Sequence, residues 1–128
     1  MSYQPEHFGV WFELPVTDLA KATAFYNAVF KTELNLIEDM GPNPIAMFAT
    51  KGPEGVAGHL YPGTPPARGT GPTVHMSVPD SIDETAGRLK DAGGAVVSET
   101  ISIPAGQFMY CLDPDGNSIS LFKFNETA

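Results

Sequence analysis

The strongest constraint on this chain is an internal repeat. Val10-Trp11-Phe12-Glu13-Leu14-Pro15-Val16-Thr17-Asp18 is a strand-like run closed by Val-Thr-Asp, and Val74-His75-Met76-Ser77-Val78-Pro79-Asp80 is a second run closed by Val-Pro-Asp. Val16 and Val78 are separated by the same offset as Asp18 and Asp80, so one supersecondary unit is built twice. Each aspartate, or the residue beside it, stands where a helix N-cap accepts from unpaired backbone N–H groups. Between the halves lies Pro-Gly-Thr-Pro-Pro-Ala-Arg-Gly-Thr-Gly-Pro, residues 62–72, which reads as a linker or surface loop.

The first helix is predicted over about 18–30, because Leu19, Ala22, Phe25, Tyr26, Val29 and Phe30 recur at spacings of three and four. The second covers about 81–92 with Ile82, Thr85, Ala86 and Leu89 on one face, and it stops at Gly93-Gly94, expected as a left-handed pair. Strands follow at 33–38, 46–51 and 56–61, then at 95–101, 107–112 and 118–124. Turns are expected at 52–55 and at Asp113-Pro114-Asp115-Gly116-Asn117, where Pro fixes φ and Gly accepts positive φ. The architecture is α+β: a single domain over 1–128, with module one at about 8–61 and module two at about 73–124. Each module reads strand, helix, strand, strand, strand.

Alternation along the strands carries the functional signal, since successive side chains leave a sheet on opposite faces. Val10, Phe12 and Leu14 suit a covering helix, as do Val74, Met76 and Val78. The other face carries Trp11 and Glu13, then Thr73, His75 and Ser77, then Ser118, Ser120 and Phe122. Trp11, Phe122 and Tyr61 are costly to leave bare, so this face is expected to line a cleft for a small molecule. Asp and Glu number 15 against 7 Lys and Arg, a net charge of −8, which disfavours nucleic acid or an anionic membrane as partner. One cysteine, Cys111, and the absence of a signal-like start or a long apolar run fit a cytoplasmic protein.

Two tandem modules punctuated in this way resemble the vicinal oxygen chelate superfamily: glyoxalase I, bleomycin-resistance proteins and extradiol dioxygenases. The resemblance spans about 8–124. It is carried by Val16-Thr17-Asp18 with Ala24-Phe25-Tyr26 and Val29-Phe30, by Val78-Pro79-Asp80 with Leu89 and Ala92-Gly93-Gly94, and by Asp113-Pro114-Asp115-Gly116-Asn117 before Ile119-Ser120-Leu121. Trp11-Phe12-Glu13-Leu14 with Phe25-Tyr26 looks most like the glyoxalase-related subgroup. The resemblance implies two βαβββ modules forming a curved mixed sheet around a cleft with helices outside, and it implies a homodimer. It also implies a metal held by four side chains, at positions that fall here on Trp11, His59, Thr73 and Ser120. Of these only His59 is a good ligand, so the usual metal site is expected to be lost and no cofactor is expected, with a divalent metal as the alternative.

Three functional readings follow. The first is a protein that binds a small organic molecule in the cleft through Trp11, His59, Tyr61, Thr73, Ser120 and Phe122. The second is a lyase, isomerase or dioxygenase whose metal sits on a shifted set, Glu13, His59 and His75. The third is metal-free acid or base catalysis by Glu13 and His75. The two arginines, Arg68 and Arg88, fall in the linker and on a helix, so a strongly anionic substrate such as a glutathione conjugate is disfavoured.

Overall fold

A computed structural model describes residues 2–39, 41–52 and 54–125. Pro53, part of the expected 52–55 turn, lies outside the described residues. The first module runs β1 (Trp11–Val16), α1 (Leu19–Phe30), β2 (Asn35–Ile37), β3 (Ile45–Met47) and β4 (Ala57–Pro62). The second runs β5 (Val74–Ser77), α2 (Ile82–Asp91), β6 (Ala95–Val96), β7 (Ile101–Ile103), β8 (Gly106–Leu112) and β9 (Ser118–Phe124).

Two helix starts that look alike in sequence are capped differently. Asp18 caps α1, its carboxylate accepting from Lys21 N–H at 3.1 Å. In α2 the cap is Ser81, which accepts from Glu84 N–H at 3.0 Å, so Asp80 is left available for other partners. At the far end of α2, Gly93 adopts φ 103°, with Gly93 N–H on Lys90 O and Gly94 N–H on Leu89 O. The expected left-handed pair is thus one left-handed residue. Gly94 is small for a different reason: a Cβ there would strike the Leu89 side chain.

The two expected modules each carry a mixed sheet, ordered β1-β4-β3-β2 and β5-β9-β8-β6, with β7 also on β8. In each, the first and last strands of the module pair in parallel, β1 with β4 and β5 with β9. Gly58 permits the first of these pairings, since a Cβ would run into the Phe12 backbone and ring. The strand expected over 95–101 is broken into β6 and β7. Between them Ser98 Oγ accepts from Tyr110 N–H at 2.9 Å, replacing a ladder bond where the extra residues loop out.

Both modules bury their helix-facing side chains in one core. Leu14, Val16, Tyr26, Val29 and Leu60 of the first join Met76, Leu89, Ile119 and Leu121 of the second. Burial of side chains of this size stabilises by roughly 1.5–3 kcal/mol each before entropy is counted.

Polar contacts then fix how the modules meet. Asp80 takes two bonds from Arg88, at 2.8 and 2.9 Å, and pairs with Lys31 at the end of α1 at 3.0 Å. Arg88 Nε–H also reaches Val29 O at 3.0 Å, so this group of side chains bolts α1 to α2. The Arg88 guanidinium above all, then the Thr85 hydroxyl, holds the Asp80 carboxyl well below the usual carboxylate range. Because the folded value is depressed, this contribution is present above the ordinary carboxylate pKa and is lost as pH falls through the lower, folded one.

The second fastening is the Asp113–Asn117 turn. Asp113 is 1% exposed. Its Oδ1 accepts from Asp115 N–H and Asn117 N–H at 3.0 and 2.9 Å, and its Oδ2 from Tyr26 O–H and Asn117 Nδ2–H at 2.7 and 3.0 Å. Asn117 also donates to Pro15 O at 2.8 Å, Thr17 O–H donates to Asp115 at 2.7 Å, and Gly69 N–H of the linker donates to Gly116 O at 3.0 Å. The turn grips β1, α1 and the linker together. Asp113→Ala is therefore expected to cost roughly 3 kcal/mol or more in urea unfolding, because it strands the Tyr26 hydroxyl and the Asn117 amide. Tyr26→Phe, which leaves the carboxylate with three donors, is expected to cost only about 1 kcal/mol. Equal, small losses in both variants would refute the fastening.

Candidate functional site

On the first sheet the parallel register sets Glu13 beside His59, and His59 beside Met47. Trp11 Nε1–H donates to His59 Nδ1 at 2.9 Å, and His59 Nε2 lies 3.2 Å from Glu13 Oε1. An indole N–H can only donate, so Nδ1 accepts and the imidazole proton sits on Nε2, directed at the Glu13 carboxylate. Both ring nitrogens are thereby engaged. The Glu13 side chain is 63% exposed, which leaves carboxylate surface open to water or a ligand.

On the second sheet, register places His75 beside Ser120, and Ser120 beside Tyr110. His75 Nδ1 and Ser120 Oγ are 2.6 Å apart. The imidazole lies edge-on to Phe108 and Phe122, with centroids at 5.0 and 5.8 Å, and 6.0 Å from Tyr110. Phe108 and Phe122 stack on each other at 5.9 Å and 2°. Loss of water around the ring pushes the His75 pKa below its ordinary 6.5, favouring the neutral form. Thr73 pairs with Ser118, Oγ1 to Oγ at 2.6 Å.

The structure therefore joins Trp11, Glu13 and His59 in one group and Ser120, His75 and Phe122 in another, on different sheets. Glu13 and His75, expected to act as an acid–base pair, have different partners. Among the described residues no three His, Cys, Asp or Glu side chains come together as an ion would require, so Glu13 and His59 meet without His75. Tyr61 lies beside His59, centroids 6.3 Å apart. Of the residues read as cleft-lining, Trp11 (47%), Glu13 and His75 are exposed, His59, Tyr61, Thr73 and Phe122 are half-buried, and Ser120 is buried. His75 also lines a groove of about 790 Å³ between β5 and the first module, floored by Phe12, Phe30 and Phe48. A second groove, of about 560 Å³, lies between the start of α1 and the Asp113–Asn117 turn and includes none of the expected site residues.

A family model described as the glyoxalase/bleomycin resistance protein/dioxygenase superfamily matches residues 7–121. The chain belongs to this superfamily. Solved structures with the glyoxalase fold agree. A hypothetical protein from S. aureus is 21% identical with a TM-score of 0.69, covering 93% of this chain and 95% of its own. A genomically encoded fosfomycin resistance protein from Listeria monocytogenes is 20% identical with a TM-score of 0.62, covering 100% and 96%. An antibiotic-binding protein from a Streptomyces species is 24% identical with a TM-score of 0.57, covering 96% and 100%. A comparison with curated proteins returns no match.

In this superfamily member the side chains at the four inferred ligand positions do not fit a resident metal. His59 has no free lone pair while Trp11 donates to Nδ1 and Nε2 carries the proton, and Trp11 itself offers no donor atom to an ion. Thr73 and Ser120 are weak ligands already hydrogen-bonded to Ser118 and His75. Sequence reasoning passed over Phe108 and Tyr110, although alternation along 107–112 puts both on the face opposite Met109 and Cys111. Cys111 is buried, its thiol pushed up to about 11 by burial, which makes it inert.

The aromatic surroundings of His75 generate a test. Its ring-proton NMR titration is expected to have a midpoint below 6.5, and Phe108→Ala, which readmits water, is expected to raise it. By linkage the His75 contribution to stability is present above the unfolded value and lost as pH falls through the lowered one. A wild-type midpoint at or above 6.5 would contradict the desolvated setting.

Proposed function

We propose that the protein binds a small, largely apolar organic molecule against the second-sheet face formed by His75, Phe108, Tyr110 and Phe122, without a resident metal. The observation that carries this reading is that the polar groups at the inferred metal positions are each already hydrogen-bonded, Trp11 to His59, Thr73 to Ser118 and Ser120 to His75. What this face presents is an aromatic wall with few polar atoms, half-buried Tyr110 and Phe122 over a buried Phe108. Such a wall recognises shape and π surface, with His75 Nε2 and the Tyr110 hydroxyl to orient one polar group. A relative described as antibiotic-binding supports ligand holding as a use of this fold.

One observation favours a catalytic variant of the reading. The Glu13 carboxylate is held by His59, which is in turn held by Trp11, and its exposed oxygen could take a proton from a bound carbon acid. The same experiment separates the two. A library of neutral aromatic and polycyclic molecules is screened by thermal shift and by the fluorescence of Trp11, the single tryptophan. Phe122→Ala is expected to weaken any hit about tenfold. Binding without product supports the first reading, whereas turnover abolished in Glu13→Gln with binding retained supports the second. Hits that ignore Phe122→Ala would sink the proposed face.

A further inference from the structure

The groove between β5 and the first module differs from the aromatic face in its chemistry. Its floor is three aromatic rings: Phe30 belongs to the core, and Phe12 and Phe48 pack against it with their own centroids 5.5 Å apart. Its polar lining comes from His75 and Ser77 on β5, from Thr32 after α1, and from Thr50 and Lys51 in the β3–β4 connection. Among the described residues Lys51 is in no ion pair, whereas Lys31 and Arg88 both bind Asp80. In a chain of net charge −8, no carboxylate is among the described residues lining this groove, and Lys51 is the one ammonium on it, beside the aromatic floor. The field of the whole protein repels polyanions, so the groove suits one negative charge carried on a large apolar body.

We infer that this groove is a second ligand site, taking planar aromatic monoanions such as aryl carboxylates or sulfonates. The ring lies on Phe12, Phe30 and Phe48, and the anion meets Lys51. A volume of about 790 Å³ accommodates a molecule of two to three fused or linked rings. His75 and Ser77 offer neutral hydrogen bonds at the opposite wall. The site departs from the expectation that anions are disfavoured, because Lys51 lies in a loop whose position relative to β5 depends on the packing of the two modules.

Anilinonaphthalene sulfonate, an aromatic monoanion, is the probe, titrated by its own fluorescence into the full chain. Lys51→Ala is expected to weaken binding about tenfold and to flatten its dependence on salt, since Lys51 is exposed and its removal leaves the core intact. Ala49→Trp, at an exposed groove position, is expected to reduce binding as much by filling the space, with an unchanged melting temperature as the folding control. Wild-type protein that fails to bind, or Lys51→Ala and Ala49→Trp proteins that bind as tightly as wild type, would overturn the site. Loss in Phe122→Ala with no change in Lys51→Ala would also overturn it, by assigning the probe to the aromatic face instead.

Discussion

Asp113 is a carboxylate almost wholly removed from water, and it is tolerable there only because four donors converge on it. Three come from its own turn and the fourth is the hydroxyl of Tyr26 on α1. Burial, and next the negative charge of Asp113, push the Tyr26 pKa well above its ordinary value, so the phenol remains a donor. The turn also holds Pro15 O, Thr17 and the linker at Gly69. A sheet of the second module is thus referenced to the first strand and first helix of the first. Asp80, with Arg88 and Lys31, repeats the fastening at the opposite ends of the helices. Between these two points the helices are clamped, and the position of β5 beside the first module follows from that clamp.

What the sheets present to a ligand is governed by satisfied hydrogen bonds rather than by the number of polar residues. Trp11 occupies His59 Nδ1, Glu13 meets Nε2–H, and Ser120 occupies His75 Nδ1. Each of these bonds uses a lone pair or a proton that metal ligation or catalysis would otherwise draw on. The superfamily fold is present, with Trp11, Thr73 and Ser120 at three of the four positions where the resemblance implies metal ligands. Aromatic rings on the second sheet, the outer oxygen of Glu13 and the ammonium of Lys51 are among the groups these bonds do not engage.

Much of the fold was legible in the sequence because it is periodic. The stripe from Leu19 to Phe30 and the one from Ile82 to Leu89 have helical spacing, and both are buried as that spacing requires, save a half-buried Leu19 at the first turn. Strand parity placed Trp11 with Glu13 and His75 with Ser77 on the faces away from the helices. Contacts between elements distant in sequence were less legible. The neighbour of Glu13 is His59 because β1 and β4 pair in parallel at one register, and parity alone does not select that register. The sequence left the cap of α2 to Asp80 or the residue beside it, and it is Ser81 that takes the cap, which frees Asp80 for Arg88. The break between β6 and β7 depends on one Ser98 hydroxyl, which composition does not distinguish from any other serine.

The claim on which the functional account depends is that the inferred metal positions are closed by their own hydrogen bonds. Its most direct test is elemental analysis of untagged protein incubated with iron, zinc, nickel and manganese and then desalted. The account predicts retention far below one ion per chain, with no change in His59→Ala. Near-stoichiometric retention that His59→Ala abolishes would contradict it, since the imidazole would then have released Trp11 to bind the ion.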